Sequence, residues 1–366
     1  EIGVRLVGSE MCIRDRYTFA PKKCEHKLRF CQLYLRMKKT KFTLMDTNRL
    51  GIMPEPKLSK ESEHNLVFKP ITLDSLSEIE PFLHRQCYRT CDFSIGGIYM
   101  WVDYFGYEYC IFQDTLFIKG GEEDNLQNTA FAVPVGKLNL QESLPLLKEY
   151  CRRHNVPFIL SAVPEPAALE IQQLYGCPIT ELPDWGDYLY NAVDLATLVG
   201  HRFNKKRNRV NKFKSTYPDY RYEMITSQNL PEITAFFETY KQEYQKDSLL
   251  FTYEESKVVQ VLHEYEKLKF EGGALRVSGQ IVAFSIGEVI GDTLIVHIEK
   301  ARKEVAGVYE AINQFYSAQM AEKYPEVKYI NREDDAGDAG LREAKLSYNP
   351  ETILKKYNIA LNEYTL

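Results

Sequence analysis

The stretch "NREDDAGDAGLREAKLSYNPE", residues 331–351, sets Glu333, Asp334 and Asp335 where a strand-forming run ends. Gly337 and Gly340 then loosen the turn into a short helix. Carboxylates in that place can hold an amine or take a proton from it. Crowding them raises their pKa values, which suits a general base working near neutrality. The same residues would also serve as a plain acidic cap, because helix amino termini favour negative charge. Lys345 and Tyr348 follow, three apart, so both can face one way from the short helix.

A second stretch carries the opposite charge. "HRFNKKRNRVNKFK", residues 201–214, holds seven Lys/Arg and no acid. As a helix it places Phe203, Val210 and Phe213 on one face, and Lys206 and Arg207 fall on that face too. Arg207, with Asn211, then points partly inward, where a guanidinium needs an anionic or hydrogen-bonding partner. Two roles stay open. Arg207 pairs with one of the many acids, or the strip forms an anion site for phosphate or carboxylate.

A third candidate is the junction "IEKARKEVAGVYEAINQ", where a strand runs into a glycine-containing helix start. Free backbone N–H groups at such a start can cradle phosphate. The element order around it resembles the Gcn5-related N-acetyltransferases (GNAT), whose pyrophosphate loop reads Gln/Arg-x-x-Gly-x-Gly/Ala. Arg302 and Gly307 fit the outer positions. Val305 stands where the first glycine belongs, and its side chain crowds the approach that glycine permits.

The elements that must carry these groups are mixed α/β from Val67 onward. "SLSEIEPFLHRQ" reads as a helix and "YEYCIFQDTLFIKGG" as two strands joined at Gln113-Asp114. The helix "LQESLPLLKEYCRRHN", the strand "VPFILSAV" and the helix "EPAALEIQQLYG" complete the first half. In the second half two helices precede the strands "GGALRV", "QIVAFSIGEVI" and "TLIVHIEKA", parted by Ser-Gly and Gly-Asp turns. A helix, the strand "VKYINRE", the short helix "GLREAKLSY" and a closing strand near "TILKKYNIAL" follow. The halves share element order without a visible sequence repeat, which suggests tandem copies of one fold.

Size and composition bound the class. At 366 residues the chain exceeds a single core of about 250 residues. No apolar run approaches the roughly 18 residues needed to cross a bilayer. The eight cysteines form no CxxC pair and the seven histidines no HxxxH or HExxH pair, so a reduced cytoplasmic setting without a metal site is expected. Residues 6–16, "LVGSEMCIRDR", resemble a translated sequencing adapter, and 1–65 is read as an artefactual or disordered leader. That leader carries 14 Lys/Arg against 8 Asp/Glu, leaving 32 against 43, a net charge of −11, for residues 66–366. General adhesion to nucleic acid, DNA included, or to anionic lipid is not expected of so acidic a chain; a local patch would have to do it.

Taken together, "DYLYNAVDLATLVGHRFNKKRNRVNKF", "INREDDAGDAGLREAKLSYNP" and the strand order between them resemble the C-terminal domain of phosphatidylglycerol lysyltransferases over roughly residues 66–360. The resemblance implies an α/β (α+β) chain of two tandem GNAT-like domains. Each would be a mixed, mostly antiparallel sheet flanked by helices. The domains would span 66–195 and 196–366, the second holding the better-developed site. It also implies aminoacyl transfer from charged tRNA to a hydroxyl or amine, with no tightly bound cofactor. The acceptor would be a lipid head group, a peptide or a small amine. Lys345 would steady the developing oxyanion. Asp334 and Asp335 would hold the amino group, and Tyr348 would stand near the general acid of acetyltransferases. Lys205, Lys206, Arg207, Asn208, Arg209, Arg302, Gly307, Glu333 and Arg342 would bind donor or substrate. Acetyl-CoA or another acyl-CoA is the alternative donor, and a non-catalytic binding module on the same fold the alternative role.

Overall fold

Local chemistry sets many of the elements. Gln113 and Asp114 both take positive φ (48° and 55°), the left-handed pair that closes a two-residue hairpin. Asn139 and Glu142 form a reciprocal capping box that opens helix Leu140–His154. The computed structural model describes residues 65–123, 125–244 and 249–361. All of the leader except Asn65 lies outside the described residues.

The first strands in chain order are β1 (Lys69–Pro70), β2 (Glu108–Phe112), β3 (Thr115–Gly121), β4 (Thr129–Phe131), β5 (Val135–Gly136), β6 (Phe158–Pro164) and β7 (Thr180–Glu181). There follow β8 (Asp187–Asn191), β9 (Arg221–Met224), β10 (Glu271–Val277), β11 (Gln280–Ile290), β12 (Thr293–Ala301), β13 (Tyr329–Asn331), β14 (Thr352–Leu354) and β15 (Lys356–Leu361). One sheet runs β1-β2-β3-β4-β6-β15-β7, with β5 on β3; the other runs β14-β8-β13-β12-β11-β10-β9. Pairing is antiparallel in both except β4–β6 and β12–β13. Helices flank both sheets, as the resemblance implied.

The sheets do not divide at residue 195/196. β8 lies on the amino-terminal side of that boundary yet pairs with β13 and β14 in the second sheet. Tyr188, Leu189 and Tyr190 are all nearly inaccessible, and a strand buried on both faces needs neighbours on both edges. The single closing strand expected near residues 352–361 is two. Thr352–Leu354 ends the second sheet, and after Lys355 the chain crosses to pair β15 with β6 and β7 in the first. The two halves therefore interlock through exchanged strands.

Helix Ile95–Phe105 has no counterpart among the sequence expectations. Gly96 and Gly97 weaken its local signal, but Ser94 caps it by accepting from the Gly97 N–H. Its start is pressed against the second sheet, where a Cβ on Gly96 would lie 2.2 Å from the His297 ring.

Candidate functional site

The site grows from two irregularities in the second sheet. β12 and β13 pair in parallel only from Thr293↔Tyr329 to Ile295↔Asn331. Beyond that point β12 runs on to Ala301 while the chain leaves Asn331, so a V opens between them. In the β11–β12 register Gly287 faces Val296 and Ile286 faces Ile298, which leaves His297 as a bulge residue. The bulge re-aims the strand. His297 looks toward the first sheet's helix Ile95–Phe105, and Glu299 looks toward helix Val308–Lys323.

The chain after Asn331 stays beside β8, with Arg332 N–H donating to the Tyr188 carbonyl and the Tyr188 N–H to the Glu333 carbonyl, and its side chains take separate partners. Asn331 donates to the Asp187 carboxylate (2.8 Å) and the Arg89 carbonyl (2.6 Å). Arg332 donates to Glu299 (2.9 Å), and Glu333 meets His297 Nδ1 at 2.8 Å. Asp335 is spent. It accepts both arms of the Arg342 fork (2.9 and 2.7 Å), the Tyr188 hydroxyl (2.6 Å) and the Gly337 N–H (3.0 Å). Burial raises its pKa, but those donors outweigh burial and hold it below the usual carboxylate range. Asp335 and Arg342 therefore brace the turn, rather than hold a substrate amine.

Asp334 differs. Its side chain is half-buried and accepts one hydrogen bond, from the Ala336 N–H at 2.9 Å, among the described residues. Desolvation dominates its titration. Lys356 opposes that push, Asp187 adds to it, and the pKa rises to about 7. A carboxyl group tuned there is half-ionised near neutrality and can act as a base.

Lys345 does not reach the V as a free ammonium. Its Nζ donates to the Arg332 carbonyl (2.6 Å) and to the Asp334 carbonyl, and burial lowers its pKa despite Asp334 and Glu333 nearby. It pins the backbone that presents Asp334. Tyr348 is buried as well, and both side chains touch Arg332, Lys345 at its carbonyl and the Tyr348 ring at its guanidinium.

On the side of the first sheet, His297 sits between Glu288 and Glu333, 2.8 Å from each, with its side chain 1% exposed. Burial would push the imidazole down, but the two carboxylates overcome that and raise it to about 9. Glu288 in turn accepts from the Ile95 and Gly96 N–H groups at 3.2 and 2.6 Å, joining the sheets through a helix amino terminus. A folded-state pKa above the unfolded value of about 6.5 stabilises the fold fully below pH 6.5. That contribution, about 3 kcal/mol at most, is lost as pH climbs through about 9. Denaturant melts should show this alkaline loss in the native protein and not in His297→Gln. An identical pH slope in both would remove the ion triad from the account.

Deeper between the sheets, Lys356 Nζ lies 2.7 Å from Asp92, 2.9 Å from Asp187 and 3.5 Å from Cys91 Sγ. Among the described residues those three side chains are the one group with the spacing of metal ligands. The lysine ammonium stands among them, a cation supplied by the chain itself.

On the helix side the basic strip forms a short turn, His201–Phe203, and then helix Asn204–Thr216. Phe203, Val210 and Phe213 are buried as their spacing predicts, whereas Asn211 is exposed. Lys206 Nζ lies 3.8 Å from the centre of the Tyr348 ring, with Arg332 4.8 Å from the same centre. Such contacts favour cations over a buried ring. Burial lowers the Lys206 pKa to about 8 against the pull of Glu310, and Arg209 and Arg332 add to the lowering. Burial also drives the Tyr348 phenol well above its ordinary value, so it is a poor proton shuttle as it stands. Glu310 accepts from Arg209 at 2.7 Å and lies 3.5 Å from Lys206. Lys205, Asn208 and Lys212 are among the strip residues exposed to solvent. Arg207 answers its open question with neither an acid nor an anion. Its guanidinium donates to the Leu198 and Gly200 carbonyls and to Asn204.

The turn from Arg302 to Gly307 is not an open phosphate cradle. Lys303 N–H donates to the Tyr244 hydroxyl, Ala306 N–H to the Tyr217 hydroxyl, and Val305 N–H to the Arg302 carbonyl. Gly307 is needed for packing, since a Cβ there would lie 2.4 Å from the Arg209 carbonyl at a φ of 77°. Arg302 rests over Phe236.

Residues 187, 288, 297, 310, 332 and 356 were not singled out by sequence reasoning. Arg332 had the plainest signal, lying inside the acidic motif itself. The rest are ordinary strand or helix residues whose partners lie far away in the chain.

Comparison with known proteins places this geometry. Residues 87–360 match the family model "Phosphatidylglycerol lysyltransferase, C-terminal". A conserved protein of unknown function from Bacteroides thetaiotaomicron is 34% identical, with a TM-score of 0.73 over 81% of this chain and all of that one. L-PGS from Bacillus licheniformis shares the fold at 13% identity, with a TM-score of 0.56 over 79% of this chain and 93% of that one. An uncharacterized protein of Mycoplasmoides gallisepticum is 26% identical over 178 residues, 47% of this chain. The match spans about half (54%) of the length of that curated relative. The chain belongs to the phosphatidylglycerol lysyltransferase C-terminal family.

Proposed function

We propose that the protein is an aminoacyltransferase that takes its acyl group from aminoacyl-tRNA and passes it to a hydroxyl or an amine. The observation that carries this reading is Asp334, a half-buried carboxyl group on the turn that leaves β13, with a pKa raised to about 7 and one hydrogen bond, from the Ala336 N–H. As base it would take the proton of the acceptor hydroxyl or amine as that oxygen or nitrogen bonds to the acyl carbon; the acyl–oxygen bond to the tRNA ribose then breaks, and the ribose oxygen leaves as a hydroxyl carrying that proton. Lys345 and Asp335 act through Asp334, fixing the backbone that carries it.

The basic helix supports a phosphate-rich donor. Lys205 and Lys212 are exposed and make no ion pair among the described residues, so they can meet phosphates directly. Lys206 and Arg209 are already engaged with Glu310 and contribute less. The filled turn at Arg302–Gly307 speaks against a CoA pyrophosphate there.

Binding of aminoacylated and uncharged tRNA across a salt series tests the donor. The charged form should bind more tightly, and Lys205→Gln/Lys212→Gln should reduce the log–log salt slope by roughly one per lysine removed. Equal affinity for both forms, or no binding at low salt, would defeat the tRNA reading.

A further inference from the structure

Glu288, the carboxylate that holds His297, also lines a cavity of about 380 Å³ where the two halves of the chain meet. Sites for small organic molecules run from roughly 300 to 1,000 Å³. One wall is helix Leu76–Leu83 of the amino-terminal half, which buries Leu76, Ile79, Phe82 and Leu83 and leaves Ser77 and Glu80 on the cavity side. The opposite wall is helix Tyr265–Leu268 with the ends of β10 and β11. The floor is apolar: Leu76, Ile95 and Leu268 are each no more than 7% exposed.

The rim is charged, and unevenly. Four carboxylates line the cavity (Glu80, Glu271, Glu288 and Glu326) against two lysines, Lys267 and Lys269, with His84 counted as neutral. Both lysines are matched already. Lys267 lies 2.8 Å from Glu264, and Lys269 reaches Glu80 of the other wall at 3.5 Å. Glu271 accepts from Lys323 and Tyr324, and Glu288 from His297 and the Ile95 and Gly96 N–H groups. Glu326 is exposed and pairs with nothing among the described residues, so the charge left facing the cavity is negative.

We propose that this cavity binds a primary amine with an apolar body, its ammonium beside Glu326 and its body over Leu76, Ile95 and Leu268. A neutral apolar guest would strip water from Glu326 and Glu80 and give neither a new partner. An anionic guest would meet lysines whose carboxylate partners it has to displace. An alkylammonium avoids both costs, since its charge answers Glu326 while its chain leaves water. None of the residues assigned above to the base or to the donor lines the cavity, so the inference goes beyond the transfer reaction and does not rest on it.

A saturation-transfer NMR titration of the full chain tests it, with hexylamine as the probe and hexanol and methylamine as controls. Hexanol keeps the chain without the charge; methylamine keeps the charge without the chain. Hexylamine should give a saturable signal and bind about tenfold more tightly than methylamine and about threefold more tightly than hexanol. Ser77→Trp, at an exposed position on the cavity wall, should fill the space and weaken hexylamine about tenfold. Glu326→Gln should weaken hexylamine about threefold and leave hexanol unchanged. Both variants should bind tRNA like the native protein, so failure here is distinct from failure of the tRNA reading. No saturable signal, equal affinity for hexanol and hexylamine, or native hexylamine affinity in either variant would overturn the proposal.

Discussion

Lys356→Met is expected to cost about 3–5 kcal/mol of folding stability. The substitution keeps the length of the side chain and removes its charge. Asp187, fully buried, and Asp92, at 2.9 and 2.7 Å, would then face one another without a cation between them. Burial pushes the Lys356 pKa down, yet Asp187 and Asp92 hold it well above the ordinary value. That direction marks an ammonium whose partners repay its desolvation. Lys356 also opens β15, which joins β6 to β7 in the first sheet, so its loss should loosen the carboxyl-terminal strand as well. Denaturant unfolding measures the change. Asp92→Asn added to Lys356→Met should restore part of the stability by removing one orphaned charge. A loss below about 1 kcal/mol in the single variant would show that the cluster does not need its cation.

Asp334→Asn should reduce the rate of acyl transfer by about 10²–10⁴-fold with little change in tRNA affinity. The amide keeps the shape and the acceptor oxygen for the Ala336 N–H and loses the basic site. In the native protein the rate should rise with pH and level off above about 7, because the carboxylate is the form that accepts a proton. That limb should vanish in the asparagine variant. Asp335→Asn serves as the contrast. It breaks the Arg342 fork, so it should lower stability, and the pH profile of its residual activity should keep the native midpoint. A native midpoint in Asp334→Asn, or a shifted one in Asp335→Asn alone, would transfer the role of base away from Asp334.

These two cases show which properties were legible in the order of residues. The Gln113-Asp114 hairpin, the helix beginning after Asn139, and the buried Phe203, Val210 and Phe213 of the basic helix all depend on neighbours within a turn or two, and local periodicity and turn chemistry report such neighbours. The motif of Glu333, Asp334 and Asp335 was also visible, as was the pattern that placed the chain near its family. Which of the three acids is available was not. Asp335 is consumed by Tyr188, 147 residues away, together with Arg342, while Asp334 is tuned by Asp187 and Lys356. A pKa is the sum of desolvation and charges brought together only by folding.

The exchange of β8 and β15 between the sheets belongs to the same class, since a strand's alternation says which faces are buried but not which sheet supplies the edges. The bulge that turns His297 toward helix Ile95–Phe105 depends on the register of β11 against β12, and register is a property of the pair. The sequence by itself therefore determined most of the element types, the family and the charged motifs, because those rest on short-range patterns; helix Ile95–Phe105, whose glycines weaken the local signal, escaped it. Only the tertiary structure decided which lysine is a buried counter-ion and which carboxyl group is left to act, because each of those is set by residues far apart in the chain.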